Sequence, residues 1–179
     1  PDVLCIQELK LDADNIPMDL FVSRGYHVAF HAQKAWNGVL IASKTPLSDI
    51  HHGLPPGGSG EGEKEQARLI AATTEGIRLV NVYCPQGSAA DSPKFPYKLS
   101  FFDALIPFMA AEIAKGGPVC LLGDINIAPR PEDLWDVSAF EGVPTYHPEE
   151  HLRFQALLDL GLEDAVWPHI KPGTFTFWD

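Results

Sequence analysis

The chain has 179 residues, 45% of them hydrophobic and 21% charged, which is the make-up of one soluble globular domain and excludes a disordered segment. No apolar run approaches the roughly 20 residues that span a bilayer, and the N-terminus lacks the basic region and cleavage site of a signal peptide, so a cytoplasmic protein without membrane attachment is expected. A net charge of -11 argues against holding nucleic acid by bulk attraction, and favours a catalyst with clustered carboxylates and a local basic strip over a scaffold.

Val3–Ile6 is a short continuous apolar run, as in a strand covered on both faces, and Glu8 falls at or just past its end. Further strands are expected at 26–31, 38–43, 67–73 and Ile77–Tyr83, separated by turn signals such as Thr45-Pro46 and Glu75-Gly76. Between them, Leu54-Pro55-Pro56-Gly57-Gly58-Ser59-Gly60 reads as a mobile loop, because it lacks the Lys-Ser/Thr and the strand-to-helix setting of a phosphate-binding loop. From 97 to 115 the residues Leu99, Phe102, Ile106, Met109 and Ile113 recur at helical spacing, with a kink expected at Pro107 and a stop at Gly116-Gly117. A buried strand at 118–122 then leads into Gly123-Asp124, and a second helix is expected over about 148–160, capped by Gly161.

The last six residues, 174–179, alternate like a half-buried strand with nothing after it to pair with, and the opening runs from Pro1 straight into a strand. The chain therefore reads as an internal piece of a longer domain. Short strands with two interleaved helices, no repeat and no linker predict one layered α/β domain over 1–179. Cys5, Cys84 and Cys120 stand singly, as buried thiols in a reducing compartment. His51-His52 has no third ligand at zinc spacing and reads as solvated loop, and His147, His151 and His169 are scattered.

Hydrolysis of a phosphodiester needs a metal to offset phosphate charge, a group to activate or orient water, and donors for the non-bridging oxygens. Glu8 after one buried strand and Asp124 with Asn126 after another would supply two acids and an amide, if the strand ends converge. Magnesium suits such a set, since it takes hard oxygens and keeps several waters. Taken singly, Glu8 also reads as a solvated loop residue and Asp124 as a turn or cap. Tyr83, at a strand end before Pro85, reads either as an oxyanion donor or as a half-buried core aromatic. Lys94, Tyr97 and Lys98 form either a phosphate-contact strip or an ordinary solvated helix start.

Several segments stand in one order along the whole chain: Val3-Leu4-Cys5-Ile6-Gln7-Glu8, Trp36-Asn37-Gly38-Val39, Gln66-Ala67-Arg68, Tyr83-Cys84-Pro85-Gln86-Gly87, Lys94-Phe95-Pro96-Tyr97-Lys98 and Gly123-Asp124-Ile125-Asn126. Gly161-Leu162-Glu163-Asp164-Ala165 and Phe175-Thr176-Phe177-Trp178-Asp179 follow. Together they resemble the exonuclease III family of DNA repair nucleases, within the wider endonuclease/exonuclease/phosphatase group. The resemblance implies a four-layered α/β sandwich and Mg2+-dependent cleavage, with Mn2+ as a substitute, of duplex DNA at abasic sites and from 3'-recessed ends, by a monomer. It implies that Glu8 binds the metal, Asp124 orients or deprotonates the attacking water, Asn126 holds the scissile phosphate and Tyr83 contacts it. Asn37, Arg68, Lys94 and Lys98 match positions that support the DNA-facing surface.

Against that pattern, the family's first strand, its Ser-Asp-His motif and the Asp-bearing strand before it have no counterpart here, so the 179-residue piece alone is expected to be poorly stable and nearly inactive. Leu9 stands where the family usually has Thr, and His151 and Trp167 where it often has Arg. Two other readings compete: a phosphodiesterase of the same superfamily acting on RNA or a small phosphoester, and a truncated, non-catalytic relative.

Overall fold

The computed structural model describes residues 1–55, 60–61 and 64–177. In chain order the elements are β1 (Val3–Ile6), α1 (Met18–Val22), β2 (His27–His31), β3 (Val39–Ser43), β4 (Ser48–His52), a small hairpin of β5 (Gly60–Glu61) and β6 (Lys64–Glu65), and β7 (Leu69–Thr74). They continue with β8 (Ile77–Tyr83), α2 (Lys94–Ala114), β9 (Val119–Asp124), α3 (Val137–Phe140) and α4 (Pro148–Leu158). One antiparallel sheet has the order β1-β3-β2, and a second has the order β4-β7-β8-β9. Within the second, β9 joins β8 in parallel, which requires a crossover, and α2 supplies it.

Strand alternation explains the layering. Along β7 and β8, Leu69, Ala71, Val80 and Val82 point to one face and pack with Phe101, Phe102, Leu105 and Met109 of α2 and Leu157 of α4. Ile70, Ala72 and Leu79 point to the other face and meet Val39 and Ile41 of β3. On the far side of the first sheet, Leu40 and Ala42 pack with Met18 and Phe21 of α1. Three apolar interfaces thus separate four layers, helix on sheet on sheet on helix, as expected. Phe101 and Phe102 are fully buried at one of them, and truncating either to alanine costs about 3–5 kcal/mol.

Helix α2 begins at Lys94, earlier than its apolar spacing indicates, and runs without a break through Pro107. Pro107 lies on the exposed side, where the carbonyl it leaves unbonded can turn to water. Five elements were not legible in advance: β4, α1, the hairpin strands β5 and β6, and α3. β4 is exposed at all five residues, so it shows no alternation, and α1 is little more than one turn. His51 and His52 accordingly lie in an edge strand and not in a loop; His52 Nε2 bonds Phe30 O at 3.1 Å and His51 packs on the Phe108 ring. Of the Pro/Gly stretch, residues 56–59 lie outside the described residues. Near the chain end, Phe177 makes one parallel bridge to Leu134 in place of the expected strand, and 178–179 lie outside the described residues. Cys84 is buried and Cys5 half-buried, whereas Cys120 is exposed on the outer strand β9. Among the described residues no helix is long and apolar enough to cross a membrane.

Candidate active site

The ends of β1, β8 and β9 meet on one rim of the sandwich. The parallel register pairs Tyr83 with Asp124, so both side chains leave adjacent strands at the same level. The main chain then locks their surroundings. Asp124 O accepts from Cys84 N at 2.8 Å. Asp124 Oδ1 accepts from Asn126 N at 3.0 Å, and Asn126 Nδ2 donates to Cys84 O at 2.9 Å. This turn needs a left-handed residue, and Asn126 has φ 53°, a conformation asparagine tolerates better than most side chains. Gly123 serves a different purpose from the tight turn its position suggests. It lies within β9 at φ 122°, and a Cβ there would stand 2.1 Å from Val82 O, so only glycine lets β9 approach β8.

Glu8 reaches the same place from the other sheet. Its backbone is left-handed, with φ 55°, and its loop is zipped to the start of β3 by Leu9 N to Gly38 O at 3.2 Å and Lys10 N to Asn37 O at 2.9 Å. The carboxylate pairs with Lys10 Nζ at 2.6 Å and lines the same cleft as Tyr83. Beneath it Asn81, fully buried, clamps the two sheets together: its Nδ2 donates to Ile6 O at 3.1 Å and Leu40 O at 3.0 Å, and its Oδ1 accepts from Gln7 Nε2 at 2.7 Å.

A cleft of about 410 Å³ opens here, and Glu8, Asn37, Arg68, Tyr83 and Lys94 all line it. Asp124 and Asn126 adjoin it through Tyr83 and Cys84. Its cations Lys10, Arg68 and Lys94 face the single carboxylate of Glu8, a local basic strip on an acidic protein. Asn37 is nearly buried and spends Nδ2 on Gln33 Oε1 and Gln66 Oε1, at 3.0 and 3.2 Å, so it braces the cleft wall. The Arg68 guanidinium lies 5.0 Å from the centre of the Tyr83 ring and donates to Gln66 Oε1 at 2.7 Å.

Lys98 is a correction. Its side chain is fully buried, ion-paired with Glu150 and bonded to Gln86 O at 3.1 Å and Asn126 O at 2.6 Å. An ammonium with no exposed surface cannot meet DNA; Lys98 belongs to the foundations of the site. The substituted positions also find structural work. Leu9 packs beneath α1, His151 Nε2 bonds Ala128 O at 3.0 Å, and the Trp167 ring carries the Arg130 guanidinium at 4.1 Å.

Burial pushes the Asp124 carboxyl up from its ordinary pKa, the Glu8 charge adds to this, and the Asn126 N–H opposes it. Tyr83 is raised too, by burial first and then by Glu8, with Arg68 opposing. Tyr83 therefore keeps its proton and acts as a donor. Among the described residues no three His, Cys, Asp or Glu gather as a ready-made metal cage. The donor set, one accessible carboxylate with a second acid near enough to repel it, fits a hard cation that keeps most of its waters and does not fit a closed nitrogen and sulfur site.

Asn81, Gln7, Gln33, Gln66 and Glu150 were missed by sequence reasoning. Gln7 and Gln66 stood inside the segments that carry the resemblance, and Asn81 carried a signal of its own as the one polar residue inside the apolar run Leu79-Val80-Asn81-Val82. A two-sheet α/β sandwich with an acid, an amide and a tyrosine at converging strand ends is an arrangement suited to phosphoester chemistry. The sequence profile of the Endonuclease/Exonuclease/phosphatase family matches residues 1–179, and the chain belongs to that family.

Among its relatives is an exodeoxyribonuclease III of Haemophilus influenzae, 34% identical over 179 residues, an alignment covering 92% of this chain and 64% of that protein. Among solved structures, an AP endonuclease from Archaeoglobus fulgidus superposes with a TM-score of 0.89 at 33% identity, over 100% of this chain and 68% of that one. A 3'-5' exonuclease from Neisseria meningitidis superposes with a TM-score of 0.88 at 43% identity, over 94% and 64%. The chain thus spans less than two thirds of the length of the Haemophilus relative.

Proposed function

We propose that this chain carries part of the active site of a Mg2+-dependent DNA repair nuclease that cuts phosphodiester bonds at abasic sites and removes nucleotides from 3' ends of duplex DNA. The observation that carries the reading is the parallel pairing of Tyr83 with Asp124, with Glu8 lining the same cleft as Tyr83. Glu8 would hold the cation, with Mn2+ able to replace Mg2+, and the cation would supply charge neutralisation on the phosphate. Asp124, held against Asn126 N, orients the attacking water and takes its proton. Tyr83 donates to a non-bridging oxygen, and the second N–H of Asn126 holds the phosphate. Arg68 and Lys94 attract the DNA backbone across the cleft mouth, and Asn37 braces its wall.

DNA as the substrate is supported by relatives named as an exodeoxyribonuclease III and an AP endonuclease, and by a Neisseria 3' phosphatase solved with a product DNA hairpin. We also propose that the first strand and the C-terminal strands of the domain lie outside residues 1–179. The apolar groove of about 710 Å³ along the outer strand β9 is where further strands would dock.

The test is incision of an abasic-site duplex and resection of a 3'-recessed duplex by the intact protein, with Mg2+, Mn2+ or EDTA. Metal-dependent cleavage of both substrates is expected, with the 179-residue piece far slower. Preferential cleavage of single-stranded RNA or an inositol phosphate, or no cleavage of DNA, would overturn the reading.

A further inference from the structure

We propose that Lys98 and Glu150 form a buried positioning pair that sets the geometry of the two loops that follow Tyr83 and Asp124, the second of which carries Asn126; this rests on the nuclease reading above. Lys98 has three N–H groups and three partners, none of them solvent: the Glu150 carboxylate, Gln86 O at 3.1 Å and Asn126 O at 2.6 Å. The two carbonyls belong to different loops, one following Tyr83 at the end of β8 and the other following Asp124 at the end of β9. One ammonium therefore ties together loops that leave neighbouring strands. The stem is fitted as closely as the head, since a Cβ on Gly87 would lie 3.1 Å from Lys98 Cδ.

Glu150 continues the arrangement. Its carboxylate accepts from Thr145 N, at 3.1 and 2.8 Å from its two oxygens, and from His147 N at 3.1 Å. Thr145 is a β-branched residue at φ 93°, a strained conformation that persists only where surrounding bonds over-determine it. Thr145 O in turn accepts from Ala128 N at 2.8 Å. The segment from Asn126 to Ala128 is thus held at both ends by one ion pair, directly through Lys98 and indirectly through Glu150.

Fold stability alone is a weak reason to keep such a pair. Desolvating two charges costs several kcal/mol each, and well-packed apolar residues often serve stability as well or better. What apolar residues cannot supply is the set of hydrogen bonds to Gln86 O and Asn126 O, and those fix the peptide that follows Asn126 and the loop that follows Tyr83.

The experiment compares wild type, Lys98→Met, the double variant Lys98→Met/Glu150→Gln and Leu157→Ala in the intact protein. Leu157 is a core residue of α4 and serves as a matched destabilised control. The double variant leaves an amide oxygen for Thr145 N and His147 N while removing the stranded charge, so it carries the test if Lys98→Met does not fold. With Mg2+ and an abasic duplex, the double variant is expected to lose about 100-fold in kcat with KM within about threefold, and the control to keep its kcat at an equal or lower Tm. Hydrogen exchange should quicken at the amides of Cys84, Asn126 and Ala128 in the double variant and not in the control. A kcat that follows Tm alike in both, or unchanged exchange at those amides, overturns the proposal. A wild type that cuts no DNA defeats the nuclease reading separately, and the exchange data still decide whether the pair holds the loops.

Discussion

Helix α2 is fastened to its sheet by an ion network near each end, and the two differ in what else they touch. Near its start, Lys98 and Glu150 are completely dry and bond to backbone carbonyls and amides of the loops around the candidate site. Near its end, Glu112 pairs with Arg78 at 2.7 Å and Lys115 at 2.6 Å, and Arg78 donates to Asp49 O and Thr73 Oγ1. Those last partners belong to β4 and β7, at the opposite end of the sheet. The chemistry is similar, yet only the first network is wired to functional groups. Left-handed non-glycine residues are distributed unevenly as well: Glu8, Lys10, Asn37 and Ser88 line the cleft, Ala35, Asn126 and Thr145 lie in the loops and segments bonded to its walls, and only Asp49 and Glu75 stand at the far end. Local strain concentrates where geometry must be exact for chemistry. The cleft end should therefore trade stability for activity, and the far end should contribute stability alone.

The strongest way to break that contrast is Asp124→Asn. The amide oxygen still accepts from Asn126 N, but it cannot take a proton from water. A fall in kcat of about a thousandfold or more is expected in the intact protein, with KM little changed. Because Asp124 is a carboxylate opposed by burial and by the Glu8 charge, Tm should be equal or higher. A variant that loses Tm along with activity would show that Asp124 supports the fold, and the contrast would fail at its central residue.

Glu8→Gln should act next most strongly and differently. Replacing the carboxylate with an amide leaves one weaker oxygen for the cation, so half-saturation with Mg2+ in the incision assay should rise about tenfold or more. The Lys10 ion pair at 2.6 Å is lost as well, but both side chains are solvent-exposed and little stability goes with it. Unchanged Mg2+ dependence would remove Glu8 from the metal site.

The two ends of α2 also show what a sequence can disclose. Buried strands were legible because Val39–Ser43 and Leu69–Thr74 are apolar on both faces, and the helix was legible from its spacing. β4 was not, because every residue of Ser48–His52 is exposed and no pattern remains to read. Glu8, Asp124, Tyr83 and Asn126 were legible as a set through family resemblance, and the register of β8 on β9 brings the last three together. Lys98 was misread because a lysine in the first turns of a helix is ordinarily solvated. Its burial depends on Glu150, a glutamate in another helix that no local pattern ties to it. Asn81 was overlooked for a related reason: a single polar residue in a strand gains meaning only when Gln7, Ile6 and Leu40 arrive from the other sheet.

The smallest effect is expected at the far end, from Glu112→Gln. Burial pushes the Glu112 carboxyl up, but the Lys115 hydrogen bond and the Arg78 guanidinium more than reverse this and leave it below its ordinary value of 4.5. A carboxyl depressed on folding stabilises the fold above its unfolded pKa, and that stabilisation is lost as pH falls through the folded value. At pH 7 the substitution should cost about 1–3 kcal/mol, since it weakens two charge-assisted hydrogen bonds at a nearly buried group. The gap between variant and wild type in urea melts should narrow only below pH 4.5, once wild-type Glu112 itself takes up a proton. Throughout, kcat on the abasic duplex should stay at the wild-type level, because nothing bonded to Glu112 reaches Asp124, Tyr83 or Glu8. A drop in kcat at unchanged KM would mean that α2 transmits strain along its whole length, and the two ends would then be a single device.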